Sequence, residues 1–192
     1  MIGLMAFAGL TDRSLRKMKL RDIRDIVVGA RTVRFKRTPA KIRFKPPRRQ
    51  RRFTFLSEEG CRNLALYLKQ RIRGGEKLAP SSRVIKGTWK PVWKEIENTA
   101  HAAGFDYTIP WSFRHYFEHN IGEAVSKKEV PQAYFDFWMG IGHLRVRAGV
   151  GANMLRVYRK AARKYLATPL GNLGSGQTLL GGASLIAQQK KP

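Results

Sequence analysis

Acidic residues are scarce in this sequence. Thirteen Asp and Glu stand against 38 Lys and Arg, a formal net charge of +25. Such an excess repels itself in a compact state and calls for a polyanion to neutralise it. Cysteine is scarcer still. Cys61 is the only one, which excludes an internal disulfide and a cysteine-based metal cluster and fits a reducing, cytoplasmic setting. Long apolar runs are missing as well. The opening MIGLMAFAGL reaches charge after about ten residues, too short for a membrane span and without the basic start of a signal peptide. It reads as the buried part of a helix whose earlier turns are missing. A Walker-type phosphate loop is absent, because GGASLIAQQKK lacks the Gly-Lys-Ser/Thr ending. The carboxylates do not converge either. Glu58 and Glu59 read as helix-start charges, Glu95 and Glu97 as a solvated face, and Asp12, Asp22 and Asp25 as salt-bridging partners in a basic segment. Two-metal nuclease chemistry, which needs several carboxylates at one place, is therefore excluded. No internal repeat is present.

What remains is a chain of 192 residues with 43% hydrophobic content, enough for one domain with a real core. Ribosomal and chromatin-packing proteins share the charge, but four Trp and ten Phe indicate a larger, shaped core. Nucleic acid is the partner that best matches the charge, since each phosphate contact releases condensed counterions. A membrane surface is the rival, but the chain has neither a lipidation motif nor a long basic amphipathic helix free of core patterning.

Residues 1–28 read as helix, turn, helix, with Leu15, Met18 and Leu20 near helical spacing and Ile23, Ile26 and Val27 following. Residues 31–55 alternate apolar and basic at Val33, Phe35, Ile42, Phe44, Phe53 and Phe55, the period of short strands joined by Pro-bearing turns. Eleven of residues 31–52 are Lys or Arg and none is acidic, so one face is apolar and the other basic. Ser57 is an N-cap for a helix striped by Leu64, Tyr67, Leu68 and Ile72 and stopped by Gly74-Gly75. A second helix is predicted near 90–103, with Val92, Trp93, Ile96, Ala100 and Ala103 on one face. Further helices are predicted at about 112–124, 131–139 and 152–166, and the Gly-rich residues 169–192 read as a flexible tail. The fold class expected is mainly α with a small antiparallel β-sheet (α+β), in one domain over 1–168.

Three segments carry a resemblance. LMAFAGLTDRSLRKMKLRDI, KIRFKPPRRQRRFTFLSEEG and WSFRHYFEHNIGEA, with FWMGIGHLR close behind the last, resemble in content and order the catalytic domain of tyrosine recombinases (integrases), above all their archaeal branch. The similarity covers roughly residues 3–166 and is most specific in FTFLSEEG to GGEKL and in SFRHYFEHNI. It implies that the family's separate N-terminal DNA-clamping domain is absent. In that family a tyrosine attacks the scissile phosphate and leaves a 3′-phosphotyrosyl bond, while two arginines and a histidine or tryptophan clamp the non-bridging oxygens. A hairpin lysine protonates the leaving oxygen. Cations placed in advance lower the barrier because charge grows on a pentacoordinate phosphorus, and guanidinium holds two oxygens at once.

Carried over residue by residue, the resemblance places Arg114 at the second clamping arginine, with His115 following it. Trp111 stands where the family usually has histidine. His143 in GIGHLR resembles the family's phosphate-touching Gly-His, with the register shifted by Gly140-Ile141-Gly142. Lys45 lies nearest the hairpin turn that supplies the lysine, with Lys41, Arg48 and Arg49 competing for that role. Lys41, Arg43, Arg48, Arg49, Arg51 and Arg52 together make a segment suited to phosphate contact. Two positions depart from the family. Thr11 stands where the first clamping arginine belongs, leaving Arg13 as the nearest substitute, and the tyrosine position falls on Ala152. Tyr158 is the nearest tyrosine, either the nucleophile or a packing residue on the stripe Met154, Tyr158, Ala161 and Tyr165.

The resemblance thus implies a DNA-binding recombinase acting on double-stranded DNA as a homo-oligomer, with no metal, nucleotide cofactor or small-molecule substrate, in the cytoplasm at the nucleoid. A catalytically inactive DNA-binding relic or regulator on the same fold is the alternative. A basic RNA-binding protein is the third reading.

Overall fold

Residue patterning and the observed elements coincide over most of the chain. The computed structural model describes residues 2–44, 52–102, 110–141, 144, 146 and 149–166. Two short helices open it, α1 (Ile2–Ala6) and α2 (Asp12–Lys17), followed by a 3-10 turn at Leu20–Asp22. Two antiparallel ribbons come next. In the first, β1 (Ile26–Val28) pairs with β2 (Val33–Phe35), and in the second, β3 (Ala40–Phe44) pairs with β4 (Arg52–Leu56). Five helices complete the described chain: α3 (Glu58–Arg73), α4 (Trp89–Ala102), α5 (Pro110–Ser126), α6 (Gln132–Met139) and α7 (Val150–Ala161). A π-helical turn, Ala162–Leu166, extends α7. The architecture is mainly helical with two small antiparallel sheets, an α+β arrangement.

Two sequence expectations need correction. Ile26–Val28 is a strand and does not continue a helix from the preceding segment. Its three consecutive β-branched residues fit a pleated ribbon better than a helical turn. The strands also form two ribbons instead of one sheet, joined by an isolated bridge between Ile23 and Ile42.

The helical expectations follow the residues that generated them. The Ser57 hydroxyl accepts from the Gly60 amide at 3.2 Å and caps α3, with Glu58 and Glu59 in the first turn and Gly74 at the end. Leu64 and Leu68 are buried beneath it. On α4, Ile96 is buried, whereas the side chains of Val92, Glu95, Ala100 and Ala103 lie outside the described residues. β4 is buried at every position, because its two faces are covered by different layers. Phe53 and Phe55 meet Phe137, Trp138 and Tyr158 on one side. On the other, the Thr54 hydroxyl donates to the Ala8 carbonyl at 3.0 Å. One core cluster runs from Leu4 to Leu166. Among the described residues no helix is long and apolar enough to cross a membrane.

Gly9 is a tight point of this packing. Its φ is +63°, and a Cβ there would lie 2.7 Å from the Phe117 ring. Gly9→Ala therefore combines left-handed backbone strain with overpacking against a fully buried ring and should lower unfolding stability by about 1–3 kcal/mol. Denaturant unfolding checks this, and an unchanged midpoint would mean the ring moves aside without loss.

Candidate functional site

The first and last of the motif segments meet at Arg114. On α5 the buried residues Arg114, Phe117, Ile121 and Ala124 share one stripe, so helical phase turns the arginine inward with the apolar side chains. Only 6% of Arg114 is exposed. Its Nη1 donates to the Gly9 carbonyl at 2.5 Å and its Nη2 to the Met139 carbonyl at 2.8 Å. Gly9 belongs to the first motif segment, and Met139 ends α6 in the last. The Met139 carbonyl is one of the acceptors that a helix leaves unsatisfied at its C-terminus, where a cation is favoured. Gly140 closes that end with φ +76°. No carboxylate among the described residues lies within ion-pair distance of Arg114, and its Nε–H has no acceptor among them. Burial pushes its pKa down, opposed by the charge of Glu118.

Beside the guanidinium lies a crevice of about 10 Å³, room for one water, lined by Met5, Thr11, Asp12, Trp111 and Arg114. Thr11 is the N-cap of α2, accepting from the Ser14 amide at 3.2 Å, which gives the residue a local structural role. Asp12, not Arg13, lines the crevice, and its carboxylate is bound by Arg16 at 2.7 Å. Arg13 is exposed and absent from the crevice lining, so it does not replace a clamping arginine here. Trp111 is 51% exposed, its ring centre 5.6 Å from the Arg114 Cζ and 5.7 Å from the His115 ring. His115 is exposed, with Nδ1 3.0 Å from Glu118.

Tyr158 sits elsewhere in the core, with no exposed surface, against Phe55 and Trp138. Its hydroxyl donates to the Phe7 carbonyl. Burial, with Cys61 nearby, holds its pKa well above the ordinary phenol value. The structure places it as a packing residue.

The second ribbon gathers cations. Lys41 and Arg43 share one face of β3, and the Arg24 amide donates to the Lys41 carbonyl at 2.8 Å. Lys41 Nζ stands 3.6 Å over the Phe53 ring, and its pKa is lowered by burial, then by Arg24 and Arg43. Arg52 is buried, its Cζ 5.3 Å from the Phe137 ring centre. Arg24 was not among the residues picked out by pattern; a strand beginning near it, instead of a helix, was the signal. Lys45, Arg48, Arg49, Arg51 and His143 lie outside the described residues, as does the 169–192 tail. Among the described residues no group of three or more His, Cys, Asp or Glu could hold a metal ion. Comparison with protein-family models, curated proteins and solved structures finds no match to this chain.

Arg114→Met should orphan the Gly9 and Met139 carbonyls and lower stability by about 1–3 kcal/mol for each. A stability unchanged in chemical denaturation would mean the guanidinium is not a structural tie. Tyr158 has a pH signature. A phenol pKa raised by folding contributes stability that is complete below the unfolded value of about 10 and is lost as pH rises beyond it. Tyr158→Phe should flatten the alkaline limb of the stability curve above about pH 10, measured by denaturation at stepped pH. A limb of unchanged steepness would contradict its burial.

Proposed function

We propose that this chain binds double-stranded DNA on a framework of the tyrosine recombinase catalytic type, and does so without strand transfer through Tyr158. The burial of the Tyr158 hydroxyl, already donating to the Phe7 carbonyl, carries this reading. A nucleophilic tyrosine must reach phosphorus and lose its proton to a nearby base. This one faces a carbonyl, which accepts its proton in a hydrogen bond but does not remove it, and burial opposes the phenolate.

The clamp is altered in the same direction. With Thr11 capping α2, the missing arginine withdraws a donor of the kind worth about 2.7–4 kcal/mol in a transition state. Arg114 already spends two of its donors on backbone carbonyls. The order of the three motif segments, and the meeting of the first and the last at Arg114, supports the recombinase-like framework. The charge of +25 and the Arg24, Lys41 and Arg43 group support the duplex partner. Binding with silent chemistry suits a regulator or relic of DNA recombination, acting at the nucleoid as a homo-oligomer on DNA.

Purified protein mixed with a nicked suicide duplex tests this reading. The expected result is a salt-sensitive gel shift without a covalent adduct on any tyrosine. A phosphotyrosyl peptide containing Tyr158, found by mass spectrometry, would overturn the silent-chemistry reading. Tighter binding to structured RNA than to duplex at equal salt would overturn the DNA reading.

A further inference from the structure

We propose that the β1–β2 ribbon is a DNA-contacting limb of its own, with Arg31, Arg34, Lys36 and Arg37 binding phosphates of the duplex. The inference rests on the DNA-binding reading above and assigns to it a surface separate from the β3–β4 group. Four observations lead to it.

The first is the ribbon's two-sidedness. Register pairs Ile26 with Phe35 and Val28 with Val33, so these four share one face, and all pack on or within the core. Val27 pairs with Arg34 on the opposite face. Arg34 is exposed there, Arg31 is exposed in the turn, and Lys36 and Arg37 are exposed where the chain leaves β2.

The second is charge segregation. Ion pairs occur on the helices and adjoining loops: Arg16 with Asp12, Arg71 and Lys86 with Glu76, Lys127 with Glu123, and Lys164 with Glu129. None of the four ribbon cations has an ion-pair partner among the described residues. The sequence explains this, because no acidic residue occurs from Ile26 to Ser57. An ordinary solvated face mixes both signs, whereas four unpaired cations on one short ribbon leave a field that only an external polyanion relieves.

The third is preorganisation. The ribbon is held at its turn by the Gly29 amide donating to the Thr32 carbonyl at 2.8 Å, and at its base by the Lys36 backbone amide donating to the Asp25 backbone carbonyl at 2.7 Å. The Ile23–Ile42 bridge ties it to the second ribbon. Cations on a backbone already fixed lose less conformational freedom when they meet phosphate. The fourth is geometry, since a two-stranded ribbon is one of the few elements that fit a DNA groove.

The test measures affinity for a fluorescent duplex across a salt series in wild type, in Arg31→Gln/Arg34→Gln/Lys36→Gln/Arg37→Gln, and in a control of equal charge change. The control, Arg16→Gln/Lys86→Gln/Lys127→Gln/Lys164→Gln, removes basic residues that already have carboxylate partners. Each lost phosphate contact removes about 0.9 from the log–log salt slope, roughly 3.5-fold in affinity between 50 and 200 mM salt. The fourfold ribbon variant should flatten that dependence by about 150-fold, with the control near wild type. Arg31→Gln alone, at the exposed turn, should lower the slope by about 0.9 and guards against misfolding of the fourfold variant. A steep wild-type slope that the ribbon variants leave unchanged would overturn the ribbon's role and leave the DNA reading standing. A wild type without salt-dependent duplex binding, or one preferring structured RNA, would overturn both.

Discussion

A guanidinium cannot be buried without acceptors for its N–H groups, and that requirement organises the centre of this protein around Arg114. Helical phase on α5 sends the side chain inward beside Phe117 and Ile121. The acceptors it finds are two backbone carbonyls from distant parts of the chain, Gly9 and Met139. A carbonyl can take this role only if the backbone comes close, which is where Gly9 enters, with its positive φ and a Phe117 ring in the space a Cβ would fill. The chain entry between α1 and α2, the α5 stripe and the C-terminus of α6 are thereby fixed to one another. The same geometry that suits an arginine for gripping phosphate has been turned to gripping the protein itself.

The opposing constraint is the charge. An excess of +25 works against compaction, and several of the few carboxylates stand where lysines and arginines crowd the helices. Among the described residues, Arg31, Arg34, Lys36 and Arg37 of the first ribbon have no such partner. The Lys41 ammonium, flanked by Arg24 and Arg43, rests on the face of Phe53.

Much of this was legible from residues alone. Helix α3 could be read from Ser57 at its start, Leu64 and Leu68 beneath it and Gly74 at its end, since capping and periodicity are local properties. The alternation at Val33, Phe35, Ile42, Phe53 and Phe55 likewise announced short strands. The stripe of Met154, Tyr158 and Ala161 left Tyr158 open between packing and nucleophile, and its hydrogen-bond partner could not be read at all. The Phe7 carbonyl, like those of Gly9 and Met139, carries no mark in the sequence, because every residue has one. Ile26–Val28 was misread for a related reason, as a short apolar run has no period to separate strand from helix. Thr11, read as standing where an arginine belongs, is also a helix cap, whose signal, a Thr three residues before Ser14, is common enough to pass unnoticed.

The claim at the centre of this account is that Arg114 is a buried tie between three segments. Side-chain NMR of isotope-labelled arginine in the free protein addresses it most directly. Arg114 should show resolved Nη protons that exchange slowly with water, distinct from those of Arg71 held by Glu76 and by the Arg83 and Val84 carbonyls, and the Arg114 signals alone should vanish in Arg114→Lys. Averaged, rapidly exchanging Nη signals from Arg114 would contradict the account.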